Sequence, residues 1–158
     1  MTICGCLTER NAEDCIRVGK SLHVDIVEHR IDFMHKIERL EEIYSATSTP
    51  ILATNKSLEN KGRFQGTGRE RVRYLSHAID AGAKLVDIEL EARKDLRERI
   101  IRKAKRAQIT LLIDMHDHYG TPSIGYLVDT LKKQIDLGAD IAKIVTTSNS
   151  QRDNETIL

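Results

Sequence analysis

The sequence predicts an α/β fold of the (β/α)8 TIM-barrel type, covering about six β/α units and so an incomplete barrel. Three observations carry this prediction. Short runs rich in Ile, Val and Leu occupy residues 3–7, 24–31, 50–55, 85–90, 109–116 and 141–146. Near-continuous apolar runs of that length suit strands buried on both faces of a parallel sheet. Amphipathic stripes at helical spacing lie between them. Most of the runs also finish on ionisable residues: Glu28-His29-Arg30, Asn55-Lys56, Asp87-Ile88-Glu89, His116-Asp117-His118 and Lys143. In a β/α barrel the C-terminal strand ends converge on one rim, which is where such folds do chemistry.

The elements follow in order. Residues 3–7 open the sheet, and a helical segment leads to the run at 24–31. Phe33, Ile37, Leu40, Ile43 and Tyr44 form a stripe that predicts the second helix. Val72, Leu75 and Ile79 mark the third, and Thr67-Gly68-Arg69-Glu70 before them reads as a capping box. Leu96, Ile100 and Ala104 mark the fourth helix, then Leu127, Leu131 and Ile135 the fifth. Thr121 before Pro122 predicts a cap followed by a proline at the first helical position. Gly82 and Gly138 sit where helices should end. The pattern is β/α five times, a sixth strand and a short tail. It makes residues 1–158 a single β/α-barrel domain, C-terminally short, with right-handed crossovers.

Composition removes several function classes. The net charge is +1, with both signs mixed along the chain. No basic stripe with interleaved aromatics offers a nucleic-acid surface. No apolar run approaches the ~20 residues of a membrane span. The N-terminus reads as a strand, without the regions of a secretory signal. Cys4-Gly5-Cys6 lacks a second Cys/His half for zinc, so Cys4, Cys6 and Cys15 are expected as free or buried thiols in a reducing cytoplasm.

The strand ends carry the chemistry. Glu28 and Arg30 share one face of their strand, with His29 on the other. Together they either orient a polyhydroxylated substrate or form a structural ion pair. Lys143 shares a face with Ile141 and Val145. On a strand covered on both sides its amine would be desolvated and a competent nucleophile toward a ketone. The alternative is a lysine that snorkels to water. His116 shares a face with Asp114 and Leu112, placed as a general acid/base for a lysine on the neighbouring strand. His116 and His118 could instead pair on a metal, but few carboxylates are fixed nearby, so no metal site is expected. Asp87 and Glu89 face one way, and one of them is expected to pair with a Lys or Arg inside the barrel.

Taken together these stretches resemble the type I 3-dehydroquinate dehydratases over essentially the whole chain. Asp25-Ile-Val-Glu-His-Arg-Ile-Asp32 resembles the family's Glu-x-Arg-x-Asp strand, and Ala53-Thr-Asn-Lys56 its third strand. Leu85-Val-Asp-Ile-Glu-Leu90 is similar to the fourth. His116-Asp117 with Thr121-Pro122 resembles the family's His-Asp-Phe…Thr-Pro, and Ala139-Asp-Ile-Ala-Lys-Ile144 the strand with the imine-forming lysine. The resemblance implies a shikimate-pathway lyase that dehydrates 3-dehydroquinate and needs no cofactor. It implies Lys143 as the imine-forming residue and His116 as the proton carrier. Glu28, Arg30 and Lys56 would bind substrate.

The departures are also legible. Lys56 stands where the family usually has arginine, keeping the charge but losing the bidentate fork. Asn60-Lys61-Gly62 falls where the family has Glu-Gly-Gly, whose glutamate orients the histidine, and His118 replaces a phenylalanine. By the same resemblance the chain is expected to lack the family's last two strands, which supply an arginine for the substrate carboxylate and a serine and glutamine on a closing loop. Six strands would leave unpaired edges, so self-association or a complementing chain is expected. A non-catalytic relative or half of a split barrel stands as the alternative to a working enzyme.

Overall fold

The computed structural model describes residues 1–158. Six parallel strands run in chain order: β1 (Cys4–Leu7), β2 (Ile26–Arg30), β3 (Ile51–Thr54), β4 (Leu85–Glu89), β5 (Thr110–Asp117) and β6 (Ile141–Thr146). Helices α1 (Ala12–Ser21), α2 (Leu40–Ser45), α3 (Gly68–Asp80), α4 (Lys94–Ala107) and α5 (Ile124–Asp136) make the crossovers, and α6 (Gln151–Ile157) follows β6. The sheet curls into a half-barrel with helices on its outer face. No helix is long and apolar enough to cross a membrane.

Alternation along each strand divides the side chains between two unlike faces. Outward residues such as Leu7, Val27, Ala53, Val86, Ile88, Leu111 and Ile113 are buried under the helices, in one cluster on α1 and α2 and another on α3 and α4. On the inner face Leu52, Leu85 and Leu112, with Ile26 against them, close the N-terminal end. The ionisable residues of that face on β4, β5 and β6 (Asp87, Glu89, Asp114, His116 and Lys143) lie toward the C-terminal ends, whereas Thr110 sits level with Leu85.

Local chemistry explains most boundaries. Thr67 Oγ1 accepts from the Glu70 N–H while the Glu70 carboxylate accepts from the Thr67 N–H, completing the capping box. After α3 and α5 the chain turns through Gly82 (φ +107°) and Gly138 (φ +92°), a region in which an L side chain is strained.

Three expectations are corrected. The second stripe does not form one helix: Ile31–Phe33 is a 3-10 turn, and α2 spans only Leu40–Ser45. Ile37 packs on the same core from a loop, so burial mimicked helical periodicity. The cap of α5 is Ser123, whose hydroxyl accepts from the Tyr126 N–H, one residue after the proline. Thr121 instead ties the loop down, donating to Thr146 Oγ1 (2.9 Å) and the Thr147 carbonyl (3.2 Å). The tail after β6 is helical, started by a capping box on Ser150 and Asp153.

Candidate active site

A lysine surrounded by acids dominates the upper inner face. Lys56 leaves the end of β3 with its side chain only 7% exposed. Its Nζ lies 2.5 Å from Asp114, 2.8 Å from Asp87 and 3.8 Å from Glu89. The acids come from the inner faces of β4 and β5, where Glu89 is paired in register with Asp114. Glu89 also takes the guanidinium of Arg71, which reaches in from α3 and donates to the Asn55 carbonyl. Both β4 acids therefore have cationic partners, where one had been expected. Lys56, the residue expected on substrate, is enclosed by this cage.

The cage sets its own protonation. Burial works against the Lys56 charge, but Asp87, Asp114 and Glu89 hold its amine above the ordinary lysine value. That amine stays an ammonium and is no nucleophile. Burial pushes Asp87 up to about 7 against the pull of Lys56. Burial also raises Asp114, with Lys56 opposing it. For Glu89 the two cations outweigh burial and hold it below its usual range.

His116 stands beside the cage. It follows Asp114 by two residues on the same face, and its Nδ1 lies 3.3 Å from Asp114 Oδ2. Burial, then the charges of Lys56 and Lys143, drive the imidazole down to about 4, so it is neutral at neutral pH and able to accept a proton. His118 stacks on it, rings 5.6 Å apart and 21° from parallel.

Lys143 projects from the inner face of β6, paired in register with Asp114, while His116 pairs with Val145 one pleat higher. Gln134, fully buried on α5, donates to the Lys143 carbonyl at 2.9 Å and fixes the backbone there. The dry environment expected around Lys143 is not found. The lysine is half-buried, and its same-face neighbours Ile141 and Val145 are 38% and 37% exposed. The reason is positional: β6 is an edge strand with only β5 beside it.

Glu28 and Arg30 share the inner face of β2 as expected, both half-buried. The partner of Arg30 is Asp32 and not Glu28: its guanidinium donates to both Asp32 oxygens at 2.9 and 2.8 Å. Asp32 also accepts the Arg63 N–H, and both guanidiniums sit over the Phe33 ring, 4.9 and 4.2 Å from its centroid. Glu28 accepts from the Cys6 thiol at 3.2 Å. Asn60, in a 3-10 turn after β3, donates to Ser57 Oγ at 3.5 Å, not to the imidazole.

Sequence reasoning missed Arg71 and the partnership of Asp114, and it quoted Asp32 only as the end of the Glu-x-Arg-x-Asp motif, without a role. Asp114 carried its own signal, a carboxylate two residues before His116 on a predicted strand. Several of these atoms, including His116 Nδ1, Asp114 Oδ1 and both Asp87 oxygens, are buried without a well-aligned hydrogen bond inside the protein. Such groups cost stability and mark a place where function sets the residues.

Fold and rim together have the build of a β/α-barrel active-site rim with two lysines in different settings, one caged and one beside a neutral histidine. Residues 3–158 match the sequence model for type I 3-dehydroquinase, and the chain belongs to that family of hydro-lyases. It is 33% identical to the 3-dehydroquinate dehydratase of Methanococcus maripaludis strain C5, over 99% of this chain and 72% of that protein. It is 34% identical to that of Methanocaldococcus jannaschii, over 99% of this chain and 71% of the relative. Among solved structures, the type I enzyme from Clostridium difficile with covalently modified comenic acid superposes with a TM-score of 0.91 at 24% identity. That match covers 98% of this chain and 66% of the Clostridium chain, so this sequence spans just under two thirds of that enzyme.

Proposed function

We propose that this chain dehydrates 3-dehydroquinate to 3-dehydroshikimate through an imine on Lys143. The observation that carries the reading is the pair Lys143 and His116, on one face of adjacent strands and one pleat apart. In this scheme the Lys143 amine adds to the C3 ketone and expels water, leaving a protonated imine. His116 takes a proton from C2, and the electrons move into the imine to give an enamine. The C1 hydroxyl then leaves as water with the proton from His116, and hydrolysis of the imine frees Lys143. The net change is loss of one water, with no cofactor consumed. Glu28 and Arg30 are read as holding ring hydroxyls, and Lys56 as serving the substrate through the acids it holds. The reaction belongs to aromatic amino acid and chorismate biosynthesis, and three free thiols suit a cytoplasmic setting.

Borohydride reduction of protein with 3-dehydroquinate, followed by mass spectrometry, tests the scheme. One ligand mass is expected on Lys143 and none on Lys56, and Lys143→Ala should remove the adduct together with all turnover. An adduct on Lys56, or one that survives Lys143→Ala, refutes the assignment. For partners, the edges at β1 and β6 and the exposed Ile141 and Val145 favour pairing with a second copy or a complementing chain. Sedimentation across a concentration series decides whether this chain associates.

A further inference from the structure

We propose that Asp114 is the positioning residue of His116, holding the imidazole as the Nδ1–H tautomer so that Nε2 presents its lone pair to the substrate. The meaning of this for catalysis rests on the dehydratase reading; the tautomer itself does not. Asp114 and His116 lie two residues apart on one face of β5, and the pleat brings Asp114 Oδ2 to 3.3 Å from His116 Nδ1. A neutral imidazole offers one donor and one acceptor nitrogen, and an ionised carboxylate only accepts. The nitrogen beside Asp114 is therefore the one that carries hydrogen. The contact is not yet aligned as a hydrogen bond, as is common before substrate binds.

The carboxylate cannot turn away. Asp114 is 0% exposed, and the oxygen nearest His116 is the one held at 2.5 Å by Lys56. This gives the Lys56 cage a purpose. A compact ammonium fits among Asp87, Glu89 and Asp114 where a planar guanidinium would need a coplanar partner. The other groups that act on the ring are Lys56 from the end of β3, Asp87 from β4, Lys143 from β6 and His118 just beyond β5. The lysines offer no acceptor, His118 meets the ring face to face rather than edge-on, and Asp114 is the carboxylate within 4 Å of Nδ1. Asn60, which by resemblance stands in for the orienting glutamate, is engaged with Ser57. The orienting acid has moved from the loop after β3 to the strand that bears the histidine.

Long-range proton–nitrogen correlation on His116 in the wild-type protein at neutral pH is the direct test. Protonated Nδ1 and bare Nε2 are expected, and the Nε2–H tautomer overturns the proposal. The double variant Asp114→Leu/Lys56→Met removes acceptor and counter-ion together; Glu89 keeps Arg71, and Asp87, whose carboxylate Lys56 alone favoured, is left to take up a proton. It should revert the ring to Nε2–H and lower kcat by about 10- to 100-fold with KM within threefold. Borohydride trapping at Lys143 should persist in it. Asp114→Asn keeps an acceptor oxygen and should retain the Nδ1–H signature that the double variant loses, whereas a residue serving only to pack β5 would leave the tautomer unmoved in both. A double variant with unchanged tautomer or unchanged kcat overturns the assignment. If wild type gives no adduct with 3-dehydroquinate, the dehydratase reading fails while the tautomer result is unaffected.

Discussion

His29 and His116 lie on opposite faces of one sheet, and both imidazoles are driven to about 4. They are otherwise unlike. His29 is 0% exposed on the outer face, with Tyr44 OH 3.2 Å from Nδ1 and Cys15 Sγ 3.7 Å from Nε2. Burial alone lowers it, with only a weak opposing pull from Asp32. His116 is half-buried, beside Asp114 and under the charges of two lysines. A perturbed histidine is thus not by itself a functional one. What distinguishes His116 is access, charged neighbours and an amine on the adjacent strand.

The largest effect expected from this contrast is on turnover. His116→Gln should lower kcat by roughly 10²–10⁴-fold, the usual cost of losing a general acid/base. Imine trapping on Lys143 should survive, because addition of the amine and removal of the C2 proton are separable steps. His29→Gln should leave kcat within a few-fold and lower stability by about 1–3 kcal/mol through its buried hydrogen bonds. Steady-state kinetics and denaturant melts of both variants give the comparison. A His29 variant that folds but does not turn over would break it.

Next in size is the cage. Lys56→Met leaves Asp87, Glu89 and Asp114 with one fewer cation in a dry setting, and should cost about 3–5 kcal/mol. The loss should shrink at acid pH, where the acids can protonate. Urea melts at pH 5 and pH 8 measure both points. A cost below about 1 kcal/mol at pH 8 would show that water already compensates the charges.

How much of this was legible in the sequence divides along the same two faces. The outer face was readable because strand and helix periodicities act locally: five of the six strands fall within their runs and β5 overshoots by one residue, and Thr67, Gly82 and Gly138 act where their neighbours placed them. The inner face was readable as residue types but not as partners. Lys56 and Asp114 are 58 positions apart, and nothing local chooses among the acids on β4 and β5. Arg71 reaches Glu89 and the Asn55 carbonyl from α3, and nothing local to the helix signals that partnership. The expected dryness of Lys143 assumed a strand covered on both faces, and cover on the inner face is a property of the whole sheet.

Acid stability sharpens the contrast by a smaller amount. His29 has a folded value of about 4 against an ordinary 6.5, so between those values the unfolded chain binds a proton that the folded chain does not. Its contribution is complete above pH 6.5 and lost as the pH falls through about 4, about 3 kcal/mol in all. His116 acts in the same sense. Asp87 acts oppositely: its folded value of about 7 exceeds the ordinary 3.8, so its contribution is present below 3.8 and lost as the pH rises through 7. The wild-type slope mixes these terms, and subtracting the His29→Gln curve isolates His29. If the two curves run parallel from pH 6.5 to pH 4, His29 is not buried as a neutral ring.

The finest distinction between the faces lies in their thiols. Cys15 is 0% exposed on the outer side, its thiol pushed by burial up to about 12. Cys6 is exposed on the inner face, and burial together with the Glu28 contact pushes it up to about 11 from 9.0. That two-unit rise leaves about a hundredfold less thiolate at neutral pH. The more basic thiolate is about tenfold more nucleophilic, so Cys6 should react with a disulfide reagent only about tenfold slower than a free cysteine. Cys15 should react only through opening of the α1–β2 packing, orders of magnitude more slowly. Reagent kinetics with peptide mapping separate the two. Modification of Cys6 should also slow borohydride trapping, because it places a bulky group against Glu28. Rapid labelling of Cys15 in the folded protein would mean that the outer face opens as readily as the inner one.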